Sequence, residues 1–264
     1  MANYTAADIK ALRESTGAGM LDVKKALDEA DGDTTKATEI LRVKGLKGVT
    51  KREGRTTSNG LVTAKAEGGV GTLVEVLCET DFVAKGEKFG ELADKVLAAA
   101  VESKASNADE LLAAQADGQT VQELLDGANA TIGEKIEVKR VARVEAPVVS
   151  AYLHKTSPDL PAQIGVLLGT EGGDEQVGRD VAMHIAAFSP SVLTRDEVDP
   201  ATVENERRIA EETAKAEGKP EQALPKIVEG RVNGFFKENV LLDQAFAKDN
   251  KKSVAQIAQE DGAT

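Results

Sequence analysis

The fold class is decided by the stretch Cys78-Glu79-Thr80-Asp81-Phe82-Val83-Ala84-Lys85. A strand-like apolar run over residues 72–78 leads into it, and an amphipathic helical pattern over residues 89–100 follows it. The tip between the two elements carries Phe82, in a chain that is only 3% aromatic. Because loops run over the surface, a phenylalanine at such a tip either folds back into the core or is presented to a partner.

The strand before the tip is the second half of a predicted β-hairpin. Apolar residues alternate with polar ones from Gly60, and the glycine-rich residues 67–71 are typical of the turn. The same strand–strand–helix pattern recurs at about residues 148–188. This repetition predicts an α+β fold whose core has two similar subdomains, at residues 60–145 and 146–264.

The N-terminal part of the chain has a different pattern. Residues 1–45 predict three short helices, with a capping box of Thr5 and Asp8 at the first and Gly45 at the end of the third. A bundle of this size has a thin core and is marginal alone. The basic and glycine-containing residues 46–59 that follow have the composition of a linker.

A pair of charged helices is predicted at about residues 200–238. Pro200 starts the first helix, and the segment Gly218-Lys219-Pro220 separates it from the second. Two helices joined by so short a break form an antiparallel hairpin.

The composition limits the classes of function. The formal net charge is −12, which repels a phosphate backbone and argues against direct nucleic-acid binding. A single cysteine excludes internal disulfides and fits a reducing compartment. The sequence contains no apolar run long enough to span a membrane and no signal peptide at its start. We therefore expect a soluble, cytoplasmic protein without membrane contacts.

The residues that usually carry catalysis are sparse. The sequence has no phosphate-binding loop of the Gly-x-x-x-x-Gly-Lys-Ser/Thr type, so the chain is not expected to bind GTP itself. Two histidines and one cysteine make a metal site unexpected. His184 lies in an apolar helical stripe, and Cys78 in an alternating strand, where both are expected to be packing residues. The sequence therefore predicts a protein that is not an enzyme and needs no cofactor.

Two motifs in this chain resemble a known family. Residues 78–85 closely resemble the Thr-Asp-Phe-Val signature of bacterial elongation factor Ts, and residues 12–20 resemble the other signature of that family. The second resemblance continues through residues 22–27. Both motifs occur in the order and spacing of the family, and the resemblance runs from about Thr5 to the end of the chain.

The resemblance implies an architecture. Members of the family begin with a three-helix module of the ubiquitin-associated type, continue with a duplicated α+β core, and carry a helical hairpin that projects from it. Their chain passes the residues that match 259–262 into one more strand, which is not present in this sequence. Either the chain is truncated or this strand is missing from this sequence, so the resemblance leaves the completeness of the second sheet open.

The resemblance also implies a function. Family members are the nucleotide-exchange factors of elongation factor Tu, which they bind in its GDP-bound and nucleotide-free states. The matching Asp-Phe pair enters the nucleotide domain of that partner and disturbs the Mg²⁺ and phosphate contacts. Carried over to this chain, Phe82 is the wedge and Asp81 its polar companion, flanked by Thr80 and Val83.

Further partner contacts follow from the same resemblance. The N-terminal module is expected to grip a helix of the partner's nucleotide domain through a mixed basic and apolar face. A glycine turn and a histidine of the core match family residues beside the same domain. The residues of these two sets are Arg13, Met20, Leu21 and Lys24, and then Ile132, Gly133 and His154. Leu21 stands where many relatives have methionine, a swap that keeps apolar volume.

The residues alone leave another interpretation open. Phe82 could be an apolar staple for the helix that follows, with Asp81 favouring the start of that helix. The chain would then be an interaction adaptor, in which the three-helix module binds a small protein and the rest forms a scaffold. A homodimer is an open alternative for the assembly of such a scaffold.

Overall fold

Groups of helices and groups of short strands follow one another along the chain, which gives an α+β fold. The computed structural model describes residues 3–264. The α-helices within that part are α1 Ala6–Thr16, α2 Met20–Glu29, α3 Thr34–Arg52, α4 Asp81–Ala84, α5 Glu87–Ser103, α6 Ala108–Ala113, α7 Val121–Ile132, α8 Glu175–Phe188, α9 Pro200–Ala216, α10 Leu224–Asn239 and α11 Val254–Asp261. The strands are β1 Asn59–Glu67, β2 Val70–Cys78, β3 Gln115–Ala116, β4 Gln119–Thr120, β5 Glu137–Glu145, β6 Val148–His154, β7 Ile164–Thr170, β8 Ala245–Phe246 and β9 Asp249–Ser253.

The chain forms two compact units that interleave in sequence. The first unit contains the residues up to Lys65, together with Thr72–Arg143 and Leu153–Gly165. The second unit contains Ala66–Gly71, Val144–Tyr152 and Val166–Thr264.

The core of the first unit lies between a sheet and two helices. The sheet has the order β1-β2-β5, and α5 and α7 contribute to the same apolar cluster. Val74, Val76 and Cys78 alternate along β2 and are all fully buried. Phe89 is the largest buried side chain that α5 adds. The predicted hairpin and the helix after it are confirmed, and together they place the tip at the end of a buried strand.

The three predicted N-terminal helices are confirmed, but the end predicted for the third is wrong. The helix α3 continues through Gly45 to Arg52, so the first seven residues of the predicted linker at 46–59 are helical. A Cβ atom at position 45 would lie 2.9 Å from the Cβ of Ala130 on α7. The glycine is therefore needed for close approach of two helices, and not as a helix stop.

The junction between α3 and α7 also has a polar contact. The Arg52 Nη1 atom donates a hydrogen bond of 3.0 Å to Oδ1 of the buried Asn129. At the same C-terminal end of α7, a Cβ atom on Gly17 would lie 2.7 Å from the backbone oxygen of Thr131. The three-helix module is thus packed onto the C-terminal end of α7, within the first unit.

The second unit repeats the strand–strand–helix pattern. β6 pairs with β7, and α8 packs its buried face against residues of α11 and of the β8-β9 hairpin. At the end of β7, the backbone N–H and C=O groups of Glu171 exchange hydrogen bonds with those of Thr264, at 2.8 and 3.0 Å. The sequence repeat is therefore confirmed in the structure.

The predicted helical hairpin is confirmed as α9 and α10. Asp199 caps α9 by accepting from the Ala201 N–H, and Pro200 occupies the first turn. A small apolar seam joins the two helices, and it is flanked by exposed ion pairs. The seam residues are Ala210, Val228 and Val232.

His184 on α8 is held in one orientation by its hydrogen bonds. Its Nδ1 atom accepts from the Ala247 N–H at 3.1 Å, so the ring proton is on Nε2, which lies 2.9 Å from Gln244 Oε1. The side chain is buried and stacks on Phe188. The packing role predicted for this histidine is confirmed.

We expect His184→Leu to destabilise the protein by about 2 kcal/mol or more, because it leaves the Ala247 N–H and the Gln244 Oε1 atom without their partner. Equilibrium unfolding in urea measures the change. Met183→Ala, at a neighbouring exposed position on the same helix, is the matched control. Equal stability of the His184→Leu variant and the wild type would contradict this account.

Candidate functional site

Phe82 is presented to solvent at the tip that follows β2. Its side chain is 83% exposed, the largest value among the exposed large hydrophobic residues described in the structure. The helix α4 that carries it is a single turn, in which Ala84 is buried and Val83 packs against the first core. Phe82 therefore neither folds into the core nor staples the next helix, and the interpretation as a packing residue is wrong.

The single turn of α4 is fixed by hydrogen bonds at its start. The Thr80 hydroxyl accepts from the Val83 N–H at 3.3 Å and caps the helix. The Cys78 thiol donates to the Thr80 carbonyl oxygen at 3.3 Å. Asp81 is exposed and pairs with Lys85 at 2.9 Å, and this ammonium group lowers the pKa of the Asp81 carboxyl. A rigid backbone thus carries an exposed aromatic ring.

The Ile132-Gly133 turn lies beside this tip. Ile132 ends α7 and packs against the first core, so its side chain is mainly a core residue. Gly133 has φ +83° and closes the helix with an N–H bond to the Asn129 carbonyl oxygen at 2.8 Å. The next residue, Glu134, accepts hydrogen bonds from the backbone of Glu79 and Thr80. The structure therefore brings together two predicted contact segments that are about 50 residues apart in sequence.

Sequence reasoning missed Glu79 and Glu134, which join the two segments. Glu79 accepts from the Lys135 N–H at 2.7 Å and from Arg55 at 3.3 Å. The first of these bonds, with help from the second, lowers the pKa of the Glu79 carboxyl. A single acidic residue in a polar loop has no pattern that could have revealed this role.

The face predicted for the N-terminal module is exposed. Met20 and Leu21 at the start of α2 are 51% and 66% exposed, unlike the buried Val23 and Leu27 of the same helix. Met20 lines an open groove between α1 and α2, together with Arg13 and Lys24. The lining mixes apolar side chains with the basic Lys10, Arg13 and Lys24 and the acidic Glu14, a mixture that suits an amphipathic helix.

His154 is the last residue of β6 and is exposed. Its carbonyl oxygen accepts from the Gln163 N–H at 3.1 Å, just before β7. It belongs to the first unit, as do the tip, the Ile132-Gly133 turn and the N-terminal module.

Cys78, which lies beneath the tip, has a buried and unreactive thiol. Its side chain is completely buried, and burial, followed by the nearby charge of Glu134, raises its pKa to about 12. At neutral pH the group is therefore a thiol and not the reactive thiolate.

We expect Cys78 of the folded protein to resist a thiol-specific reagent at pH 8, because the thiolate fraction is small and the sulfur is buried. Absorbance after addition of an aromatic disulfide reagent measures the rate. Unfolding in guanidinium should restore full reactivity, and a Glu91→Cys variant, exposed on α5, should react at once. Rapid labelling of Cys78 in the native protein would contradict the burial described above.

Within residues 3–264, no group of three or more His, Cys, Asp or Glu side chains is arranged to hold a metal ion. None of the helices in that part of the chain combines the length and the apolar character that crossing a membrane requires.

Comparisons with known proteins agree with this architecture. The family model described as Elongation factor TS matches residues 79–264. Elongation factors Ts from Paenarthrobacter aurescens and Pseudarthrobacter chlorophenolicus are 63% and 64% identical to this chain, over 99% of it and 95% of each relative. The protein of the same name from Renibacterium salmoninarum is 65% identical over 97% of this chain and 94% of its own length.

These similarities extend over nearly the whole chain and define a factor of translation elongation. The chain belongs to the elongation factor Ts family, the nucleotide-exchange factors of elongation factor Tu. The family resemblance drawn from residues 12–20 and 78–85 is thereby confirmed.

Proposed function

We propose that this chain speeds the release of GDP from elongation factor Tu by inserting Phe82 near the Mg²⁺ and phosphate site of that partner. The observation that carries the proposal is the 83% exposure of Phe82 on a one-turn helix. The start of that helix is held by two hydrogen bonds, from the Thr80 N–H to Glu134 and from the Val83 N–H to the Thr80 hydroxyl. Leaving an aromatic ring in water costs free energy, and burial in a partner recovers it. Large aromatic side chains are also the residues that most often dominate the energy of an interface.

The exchange needs no covalent chemistry. If the factor binds best to the nucleotide-free partner, GDP and the factor weaken each other's binding, and this antagonism is reciprocal. The factor binds GDP-loaded elongation factor Tu, promotes nucleotide loss, and is expelled when a new nucleotide binds. Nucleotide release is driven by the difference between the affinities of the factor for the nucleotide-free and the GDP-bound states of the partner.

A second contact makes this mechanism efficient. The groove of the N-terminal module, with Arg13, Met20 and Lys24 along it and Leu21 beside it, is suited to hold a helix of the partner. Because α3 packs on α7 within the first unit, the module and the tip share one framework. We propose that the module supplies affinity, while Asp81 and Phe82, with the Ile132-Gly133 turn and His154, disturb the nucleotide site.

We expect Phe82→Ala to lower the maximal rate of GDP release by about 30-fold, the effect of losing roughly 2 kcal/mol at a dominant interface residue. Stopped-flow release of a fluorescent GDP analogue from elongation factor Tu, at increasing concentrations of the factor, measures this rate. The melting temperature should stay near that of the wild type, since Phe82 is exposed.

The matched control for this experiment is Met183→Ala, which removes an exposed apolar side chain from α8 in the other unit. It should exchange nucleotide like the wild type. If Phe82→Ala binds and exchanges like the wild type, the proposed role of the ring is wrong.

Met20→Asp should act on binding and not on the maximal rate. A carboxylate in the groove removes apolar contact far from the nucleotide, so it weakens the initial and the exchange-active complexes equally. We expect the half-saturating concentration in the same assay to rise about tenfold or more, as for an interface residue worth over 1 kcal/mol, with little change in the maximal rate. A fall in the maximal rate alone would contradict the division of roles between module and tip.

A further inference from the structure

Two carboxylates cross-link the tip and the turn beside it in a reciprocal arrangement. Glu79, just before the tip, binds the backbone of Lys135, and Glu134, just after the Ile132-Gly133 turn, binds the backbone of the tip. We call this pair of interactions the carboxylate clasp. Each segment thus contributes one acid that the other segment satisfies.

Glu134 makes three hydrogen bonds to the tip. Its Oε2 atom accepts from the backbone N–H groups of Glu79 at 3.0 Å and Thr80 at 3.1 Å. Its Oε1 atom accepts from the Thr80 hydroxyl at 2.6 Å. Hydrogen bonds to an ionised acceptor are about twice as strong as neutral ones, so this carboxylate holds the tip at three points.

The hydroxyl of Thr80 passes this restraint on to the helix that carries Phe82. Because its single proton is donated to Glu134, the oxygen is left to accept from the Val83 N–H, at 3.3 Å. The start of α4 is therefore oriented by a side chain from the neighbouring turn. We therefore expect a change at Glu134 to alter the direction in which Phe82 points, although Glu134 does not form part of α4.

Glu79 completes the clasp from the other side. Its Oε1 atom accepts from the Lys135 N–H at 2.7 Å, and the Arg55 guanidinium pairs with the same carboxylate at 3.3 Å. The Lys135 ammonium in turn donates to the Arg55 carbonyl oxygen at 3.1 Å. The segment that follows α3 is thereby tied to both sides of the clasp.

We propose that Glu134 and Glu79 are positioning residues for nucleotide exchange, which fix the direction of Phe82 relative to the Ile132-Gly133 turn. This inference rests on the proposed function, since it assigns the clasp a role in exchange and not only in folding. The arrangement supports it because the clasp is anchored immediately next to both segments that face the partner. Without these two acids, the hydrogen bonds that join the segments would be lost.

The test compares Glu134→Ala and Glu134→Gln in the GDP-release assay. The amide of Gln keeps an oxygen for the two backbone N–H groups but cannot accept from the Thr80 hydroxyl with its nitrogen. We expect the maximal rate to fall about tenfold for Glu134→Ala, as for a small misplacement of an acting group, and by less for Glu134→Gln. The half-saturating concentration should change less than about twofold, because the N-terminal module still binds.

Two controls separate positioning from loss of structure. Glu91→Ala removes an exposed acid from α5 and should behave like the wild type. Glu134→Gln is nearly isosteric, and thermal unfolding should show it folded at the assay temperature. A fall in the maximal rate of this folded variant supports the proposal, and a rate equal to that of the wild type overturns it.

A double-mutant cycle with Phe82→Ala gives the sharper result. If Glu134 acts through the ring, the variant lacking both side chains should exchange no more slowly than Phe82→Ala alone. Losses that multiply would show that Glu134 acts independently of Phe82 and would overturn the proposal. A wild-type factor that fails to accelerate GDP release would overturn both the proposed function and this inference. If the wild type accelerates release but the Glu134 variants do not show the expected loss of rate, only this inference is overturned.

Discussion

The close contact between α3 and α7 is the constraint on which the organisation of the first unit depends. With no Cβ at position 45, the two helices approach closely at Ala130, and Arg52 satisfies the buried amide of Asn129. The apolar cluster of the three-helix module is small, with Leu27 as its largest fully buried side chain, and would be marginal alone. Packing on α7 supplies additional buried surface. It also removes the ordering cost that a flexible tether would impose when the module binds a partner.

In the same unit, the exposed Phe82 is surrounded by a buried strand and by hydrogen-bonded backbone. Buried residues alternate along β2 up to Cys78, after which the chain turns outward and the backbone N–H groups of Glu79, Thr80 and Val83 are held by hydrogen bonds. Beneath the tip, an uncharged thiol tolerates the low-polarity site that an ionised group would not. The carboxylates lie further out, where backbone N–H groups and Arg55 satisfy them.

Much of this architecture could be predicted from the sequence, because apolar periodicity directly reflects which face of an element is buried. The hairpin, the helix α5 and the paired helices α9 and α10 were readable in this way. Gly45 was misinterpreted, because a glycine that ends a helix and one that permits close helix packing look alike in a single sequence. The clasp of Glu79 and Glu134 was not predictable either, since the bonds join residues about 55 positions apart and no local pattern records them. The two-residue strands β3 and β4 are too short to show any alternation.

The exposure of Phe82 has a consequence for how such a protein changes over time. Most residues that matter for activity also contribute to folding, so substitutions that alter one property disturb the other. Here the ring of Phe82, which we propose meets the partner, stands outside the core, while the neighbouring Val83 and Ala84 pack against that core. If Phe82 acts as proposed, selection on the speed of exchange can act on position 82 with little effect on the stability of the chain, because the core does not depend on that side chain.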